Sequence, residues 1–567
     1  MTTKRWMISA LLLAVLFSSI PTRGQNQTLV IEGGTLIDGT GGAPIQNAVI
    51  VMEGSRIKSV GTKGRVSYPS NARVIKEEGK TILPGLIDSH IHFREWMPQM
   101  FLHYGVTTVY DTANPTDWIV AQREAIQHRK IKGPRMFVTG IAVDGPRERS
   151  APDSGAELGG YNAHVTTVEE ARALVRRNLA AGVDIIKVHE GLTTELLKTI
   201  VEEARKARVP VVGHSENIRE AVRAGLKFME HTTPLARAIL EAEDPAKVKE
   251  VEENKIESAE FMMNPKLFAP LIQLMVKEGV FINTTLSGMW RVANPRAAEW
   301  AKAAAGIAND PGLEFVPADV LQSWSQPPRQ RNQDPQRARE LAEGFKKVQE
   351  FIREYAQAGG KLTAGTDTTG YAPGLSLSFE MQSLVDAGGT PMQAILAATK
   401  WAAELGHKEK DLGTVEPGKV ADITVIEGDP LKDITAVRNV LLVVKDGEVV
   451  DTSYDPKFVN PIARTALNGQ LKGPENGPEL SGVTPGIARE GDRDVTLQVA
   501  GKKFTPQSVV RLDATELKTQ FVSDSKLTAV IPSASLQKVG SYPVTVVNPG
   551  SGGGTSNRRY FIVNFKY

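Results

Sequence analysis

Six side chains spread along the chain offer the nitrogen and oxygen donors from which a metal centre can be built: His90, His92, Lys187, His214, His231 and Asp367. His90 and His92 lie two apart and follow the apolar Ile82, Leu83, Leu86 and Ile87. Successive strand side chains face opposite ways, so both imidazoles project from one face of a strand end and can grip one ion. Such a pair acquires meaning only if further ligands converge on it. His214 and His231 each close a short apolar stretch, Lys187 closes Asp-Ile-Ile-Lys, and Asp367 follows Leu-Thr-Ala-Gly-Thr. A lysine ammonium repels a cation. Lys187 becomes a ligand only if desolvation and a positive neighbour favour the neutral amine, which adds to carbon dioxide as an anionic, two-armed carbamate able to bridge two ions. The alternative is a buried Lys187 paired with an acid such as Glu190. His189, two beyond Lys187 on the same face, is either a substrate contact or a packed rim histidine. Tyr161 and His164 are further loop candidates for touching substrate.

These residues need a scaffold that brings distant strand ends together. Eight candidate strands end near 92, 110, 139, 188, 214, 231, 285 and 367, and helical stretches such as 167–181, 194–208 and 336–358 fall between them, apolar on one face and charged on the other. Strands alternating with helices over 81–412 predict a (β/α)8 barrel, whose C-terminal rim gathers the strand-end residues into one mouth. The insertions 235–277 and 287–337, the latter holding Trp290, Trp300 and Trp324, are either lids and substrate walls or helices packed on the rim. On either side of the barrel, 25–80 and 413–453 read as short β-strands separated by glycine turns. Neither stretch closes a domain alone, so the two are expected to pair into one split β-sandwich.

Composition narrows the function. Of 567 residues, 41% are hydrophobic and 23% charged, as in ordinary globular proteins. Residues 1–24 place Lys4 and Arg5 before an apolar run from Trp6 to Phe17 and a break at Pro21, the pattern of a secretory signal peptide. The expected destination is the periplasm or outside the cell. The full chain has 67 basic and 65 acidic residues, and losing Lys4, Arg5 and Arg23 leaves 64 against 65, a net charge of −1 with no bias toward nucleic acid. The chain has no cysteine, so a metal site must use histidine, carboxylate or modified lysine. No second apolar stretch is long enough to span a bilayer. Residues 454–480 read as a linker, and 481–567 resume as short alternating strands at 495–499, 508–512, 527–531, 542–547 and 559–563, an all-β sandwich.

Taken in order, Leu83-Pro-Gly-Leu-Ile-Asp with His90-Ile-His92, Ile-Ile-Lys187, Val-Gly-His214, Met-Glu-His231, Ala-Gly-Thr-Asp367 and the closing Gly413-Thr-Val-Glu-Pro-Gly-Lys-Val-Ala-Asp-Ile resemble the amidohydrolase superfamily. Gly182-Val-Asp-Ile-Ile-Lys and Met229-Glu-His resemble its imidazolonepropionase-like and Xaa-Pro dipeptidase-like branch. The resemblance implies that His90, His92 and Asp367 hold the more buried of two ions and His214 and His231 the more exposed one, with N-carboxylated Lys187 between them. It also implies a metal-bound hydroxide nucleophile, with Asp367 moving the proton to the leaving nitrogen. Zinc suits the nitrogen and oxygen donors, at one or two ions per chain. The tail resembles an IPT/TIG Ig-like domain through Gly482-Val-Thr-Pro, Gly501-Lys-Lys-Phe and Val547-Asn-Pro-Gly, implying a spacer or a module that binds a surface partner. The expected function is hydrolysis of a carbon–nitrogen bond in a small substrate: a dipeptide, an N-acyl amino acid or a cyclic amide. Lactone or phosphotriester hydrolysis on the same site, and a non-catalytic surface binding protein, are the alternatives.

Overall fold

The computed structural model describes residues 28–146, 162–254, 256, 258–324, 326, 334–368, 370–464, 477–550 and 553–567. The expected signal peptide, Tyr161 and most of 465–480 lie outside the described residues.

Eight parallel strands form the barrel: β1 Leu86–Ile91, β2 Val106–Asp111, β3 Arg135–Val138 with its continuation Ala142–Asp144, β4 Ile186–Val188, β5 Val211–Gly213, β6 Phe228–Glu230, β7 Phe281–Asn283 and β8 Lys361–Thr363. Neighbours pair in sequence order from β1 to β3 and from β4 to β8. Val143 meets Val188 across β3 and β4. The ring closes where Ser89 N donates to Ala364 O at 3.0 Å and Asp367 N to His90 O at 2.8 Å. These closing bonds draw the ends of β1 and β8 together. The outer helices begin where their sequence offers a cap: Thr167 with Glu170 forms a capping box for Val168–Ala180, Thr193 caps Thr194–Lys206 and Asp334 caps Pro335–Gln357.

The split sandwich forms from both ends of the barrel. One of its sheets is wholly N-terminal, and in the other Thr81–Pro84 runs antiparallel to Ile423–Ile426, with Leu83 opposite Thr424. Ile31, Ile50, Ile82, Ile423, Val425 and Val444 fill the space between the two sheets.

The insertions do both of the things expected of them. Trp300 stacks on Phe379 at 5.1 Å and Trp290 Nε1 donates to Thr232 Oγ1 at 3.0 Å, so these two indoles hold helices to the barrel. Trp324 reaches the mouth, 6.0 Å from Trp96.

The part 454–464 of the expected linker 454–480 is fixed to the barrel. Asp455 N donates to Gln99 Oε1 at 2.8 Å, Ile462 O accepts from Trp118 Nε1 at 2.8 Å, and the Arg464 guanidinium lies 3.9 Å above the Trp118 ring. Composition rich in proline and asparagine conceals such pinning, because the barrel supplies the partners.

The tail is a two-sheet sandwich around Leu497, Val499, Leu527, Ile531, Val544 and Phe561. Strands Glu479–Thr484 and Lys518–Ser523 were not foreseen, since Gly482 interrupts the first and Lys518, Thr519, Gln520 and Ser523 make the second mostly polar. The tail rests on the barrel helix Thr116–Gln127 and the residues just after it: Asn564 Nδ2 donates to Glu124 Oε2 at 2.9 Å, and Tyr567 stacks on His128 at 3.9 Å.

Candidate active site

At the C-terminal rim the strands end in residues whose backbone leaves β geometry. His231, Thr285, Asp367 and Thr368 take φ of 63°, 45°, 56° and 47°. Left-handed backbone costs about 1–3 kcal/mol per non-glycine residue, and more readily so for the β-branched threonines. Its effect is to turn consecutive residues toward one interior. Glu230 and His231 would face opposite ways on a regular strand, yet both reach His90: Glu230 Oε2 lies 2.5 Å from His90 Nδ1, and the His231 ring lies 4.9 Å from the His90 ring. Two glycines permit the close approach of strands. A Cβ on Gly365 would fall 2.5 Å from His90 Cβ, and one on Gly213 only 1.9 Å from Val188 O.

The buried end of the mouth is organised on Asp367. His92 Nε2 lies 3.2 Å and His90 Nε2 3.5 Å from Asp367 Oδ1. Burial would raise the Asp367 carboxyl, but hydrogen bonds to His90 and His92 hold it well below the usual range. A carboxylate only accepts, so His90 Nδ1–H donates to Glu230, and when the ring carries its second proton Nε2–H points toward Asp367. Burial opposes charge on His90, but Glu230 outweighs it and lifts the ring to about 9. Burial works against Glu230 as well, and His90 and Lys187 bring it down to about 2. Carboxylates gathered out of water favour positive charge beside them.

Lys187 is fully enclosed, and its Nζ has no hydrogen-bond partner. Burial lowers its pKa against the opposing pull of Glu230, Asp367 and Asp144, which favours a neutral, nucleophilic amine. Burial, reinforced by Lys187, holds His214 well below the ordinary histidine range. Burial and His90 bring His231 down to about 3. Its Nδ1 lies 2.6 Å from Thr285 Oγ1. Both shifts favour the neutral ring, the form in which a histidine ligates a metal, whereas His90 has to give up its second proton to do the same.

The structure thus gathers His90, His92, Lys187, His214, His231, Asp367 and His189 around one cavity of about 690 Å³ or beneath its floor, a volume ordinary for a small-molecule site. It does not bring His164 there: that ring sits 3.0 Å from Gly145 O, away from the cavity lining. Trp96, Met97, Met289, Val320, Trp324 and Tyr371 form the apolar part of the wall, and Arg94 adds a guanidinium. Among the described residues, two groups of three donors come within 4.8 Å of one another: His90, His92 and Asp367, and His189, Glu190 and His214. Their nitrogen and oxygen atoms, together with the orphaned amine of Lys187, fit a divalent metal.

Glu230, Asp144 and Thr285 were missed from sequence. Glu230 is the informative omission, because strict strand alternation turns it away from His231, and only the left-handed His231 reverses that.

Residues 81–450 match the family model described as Amidohydrolase family, and the chain belongs to that family. A 67-residue stretch is 36% identical to a 5-methylthioadenosine/S-adenosylhomocysteine deaminase of Symbiobacterium thermophilum, covering 12% of this chain and 15% of that relative's length. Among solved structures, a Xaa-Pro dipeptidase with bound methionine in the active site superposes with TM-score 0.53 at 23% identity, over 75% of this chain and 100% of that one. A molinate hydrolase does so with TM-score 0.56 at 23% identity, over 76% and 95%. These two likenesses are likenesses of fold.

Proposed function

We propose that the chain hydrolyses an amide or related carbon–nitrogen bond of a small substrate at a divalent-metal centre in the barrel mouth. The observation that carries this reading is the convergence of the His90 and His92 Nε2 atoms on Asp367, in the same mouth as the unpartnered amine of Lys187. His90, His92 and Asp367 would hold one ion and His214 and His231 a second, with zinc best matched to the donors. Lys187, as the neutral amine, adds to carbon dioxide through Nζ, losing one proton and gaining a carboxylate that lies between the two groups. Held by these donors, a divalent ion would supply Lewis acidity toward a water and toward the scissile carbonyl. Asp367, kept ionised by its two histidines, takes up the proton and returns it to the departing nitrogen.

The wall of Trp96, Trp324 and Tyr371 suits an apolar flank on the substrate, and Arg94 suits a carboxylate. Together they favour a dipeptide or N-acyl amino acid over a cyclic amide, in keeping with the dipeptidase among the structural neighbours. Export is part of the same reading, supported by Lys4, Arg5 and the apolar run that follows. The tail is read as an IPT/TIG-type module on the motifs around Gly482, Gly501 and Val547.

The test is a screen of zinc-loaded full-length protein against dipeptides, N-acyl amino acids and cyclic amides. Turnover that chelation abolishes is expected. Full turnover of an identified substrate by Lys187→Ala would overturn the two-ion assignment.

A further inference from the structure

A second cavity, of about 190 Å³, lies in the helical insertion that follows β6. Its walls come from the helix Thr233–Glu243, the helix Pro245–Glu253 directly after it, and the single 3-10 turn Glu260–Met262. Ala236, Leu240, Val248 and Val251 make most of the lining apolar. Among the described charged residues of that lining, only Glu260 is buried, at 1% exposure, and its Oε2 has no hydrogen-bond partner. The guanidinium in the same wall is engaged elsewhere: Arg237 pairs with Glu252 at 2.8 Å and with Glu216 at 3.6 Å. A buried carboxyl oxygen without a donor costs about 1–3 kcal/mol, and more when ionised. Burial accordingly lifts the Glu260 carboxyl to about 7, against the pull of its own N–H and of Arg337. A donor brought into the cavity recovers that cost. Water serves poorly, because an ordered water needs two to four polar partners and the walls beside Glu260 are apolar. An apolar void of about 150 Å³ holds benzene, so this one has room for a body of about five carbons and a polar head. None of Pro245–Glu253 is fully buried, so that wall can yield to admit a ligand.

We propose that this cavity binds a small primary amine with a branched apolar body, the ammonium donating to Glu260 Oε2 and the body lying among Ala236, Leu240, Val248 and Val251. The site is separate from the barrel mouth and does not depend on the metal reading. The two cavities share Thr233, two residues beyond His231, as a common wall.

Calorimetric titration of the full-length protein with isoamylamine at pH 8, where the amine is protonated, tests the proposal without recourse to activity. One site per chain is expected, with Kd of about 1 mM or tighter. Isoamyl alcohol, which has the same body without the charge, should bind about tenfold more weakly or worse, and Glu260→Gln should cost the amine about as much. Glu260→Gln keeps the shape of the side chain, and its unfolding midpoint should equal or exceed that of the wild type. Val251→Phe, filling the cavity from its half-buried wall, should remove binding. Glu253→Gln neutralises an exposed acid on the same helix and should leave Kd unchanged. The proposal is overturned if the wild type binds no amine, if the alcohol binds as tightly, or if either Glu260→Gln or Val251→Phe binds as the wild type does. Weakening by Glu253→Gln equal to that by Glu260→Gln overturns it too, since the amine would then be following surface charge.

Discussion

The barrel mouth and the C-terminal sandwich are both made of strands, yet they use them in opposite ways. In the sandwich, Leu527, Ala529 and Ile531 alternate with more exposed neighbours, and most of the buried side chains are apolar and none is charged. In the barrel every residue of β1 and β2 is buried, polar ones included: Asp88, Ser89, His90, Thr107, Thr108 and Asp111. Buried polar and charged groups cost free energy unless fully partnered, and Lys187 Nζ and Glu230 Oε1 are not. The sandwich is therefore organised for stability and the mouth for chemistry, with the apolar barrel core offsetting the cost of the mouth.

Substitutions can break that contrast. Asp367→Asn should lower kcat/KM by a factor of roughly 1,000 or more, about 4 kcal/mol of transition-state stabilisation, while the thermal midpoint changes little. Activity within tenfold of wild type would remove Asp367 from the chemistry. Leu497→Ala in the tail should do the reverse. Truncation in a packed apolar core costs about 3 kcal/mol, so urea unfolding of the tail should shift, with hydrolysis at low urea unaffected. A proportional fall in hydrolysis would show that the tail supports the mouth.

Lys187→Met addresses the mouth directly. Replacing a buried, unpartnered amine by an apolar chain of similar length should stabilise the metal-free protein by about 1–3 kcal/mol while eliminating turnover. A lower thermal midpoint in the presence of chelator would mean that the amine is held by an interaction the contrast leaves out.

The two regions also differ in how far they can be read from sequence. Eight strand ends and the residues at them were legible because apolar runs punctuated by glycine and proline set the barrel, and because the barrel rim leaves only one place for His90, Lys187 and Asp367 to meet. The sandwich strands at 495–499 and 527–531 announced themselves by alternation. What stayed hidden depended on partners far away in the chain. Glu230 is tied to His90 across 140 positions, and the left-handed His231 after it turns the next side chain into the same interior. Asp144 holds His189 across 45 positions, and the strip 454–464 is fixed by Gln99 and Trp118. No local pattern encodes such pairs.

Glu260 lies between these extremes, a buried carboxyl in the helical insertion that burial pushes up to about 7. An acid whose folded-state pKa is raised binds its proton more tightly when folded. Its contribution is therefore whole below about pH 4.5 and is lost as pH rises through 7. Glu260→Gln should flatten the fall in stability between pH 6 and 8, a gain of roughly 1–2 kcal/mol at the upper end. Parallel curves for the two proteins would show that Glu260 ionises freely. A smaller effect is expected at the contact between the regions: Tyr567→Ala removes the stack on His128 and should cost the tail about 1 kcal/mol or less, seen as a slight downward shift in its unfolding midpoint. A larger loss, or one shared by the barrel, would mean that the two regions unfold as one.

The sheet shared by the two ends of the barrel sets a timetable for synthesis. Lys80 meets Glu427 after 347 intervening steps along the chain, and Thr81–Pro84 has no antiparallel neighbour until Ile423–Ile426 has left the ribosome. At ordinary elongation rates that is an interval of roughly 20–70 seconds. Throughout it, the apolar side chains of the amino-terminal strands are without half of their eventual cover, so a chaperone that engages nascent chains would find its target in the first sixty residues that the structure describes.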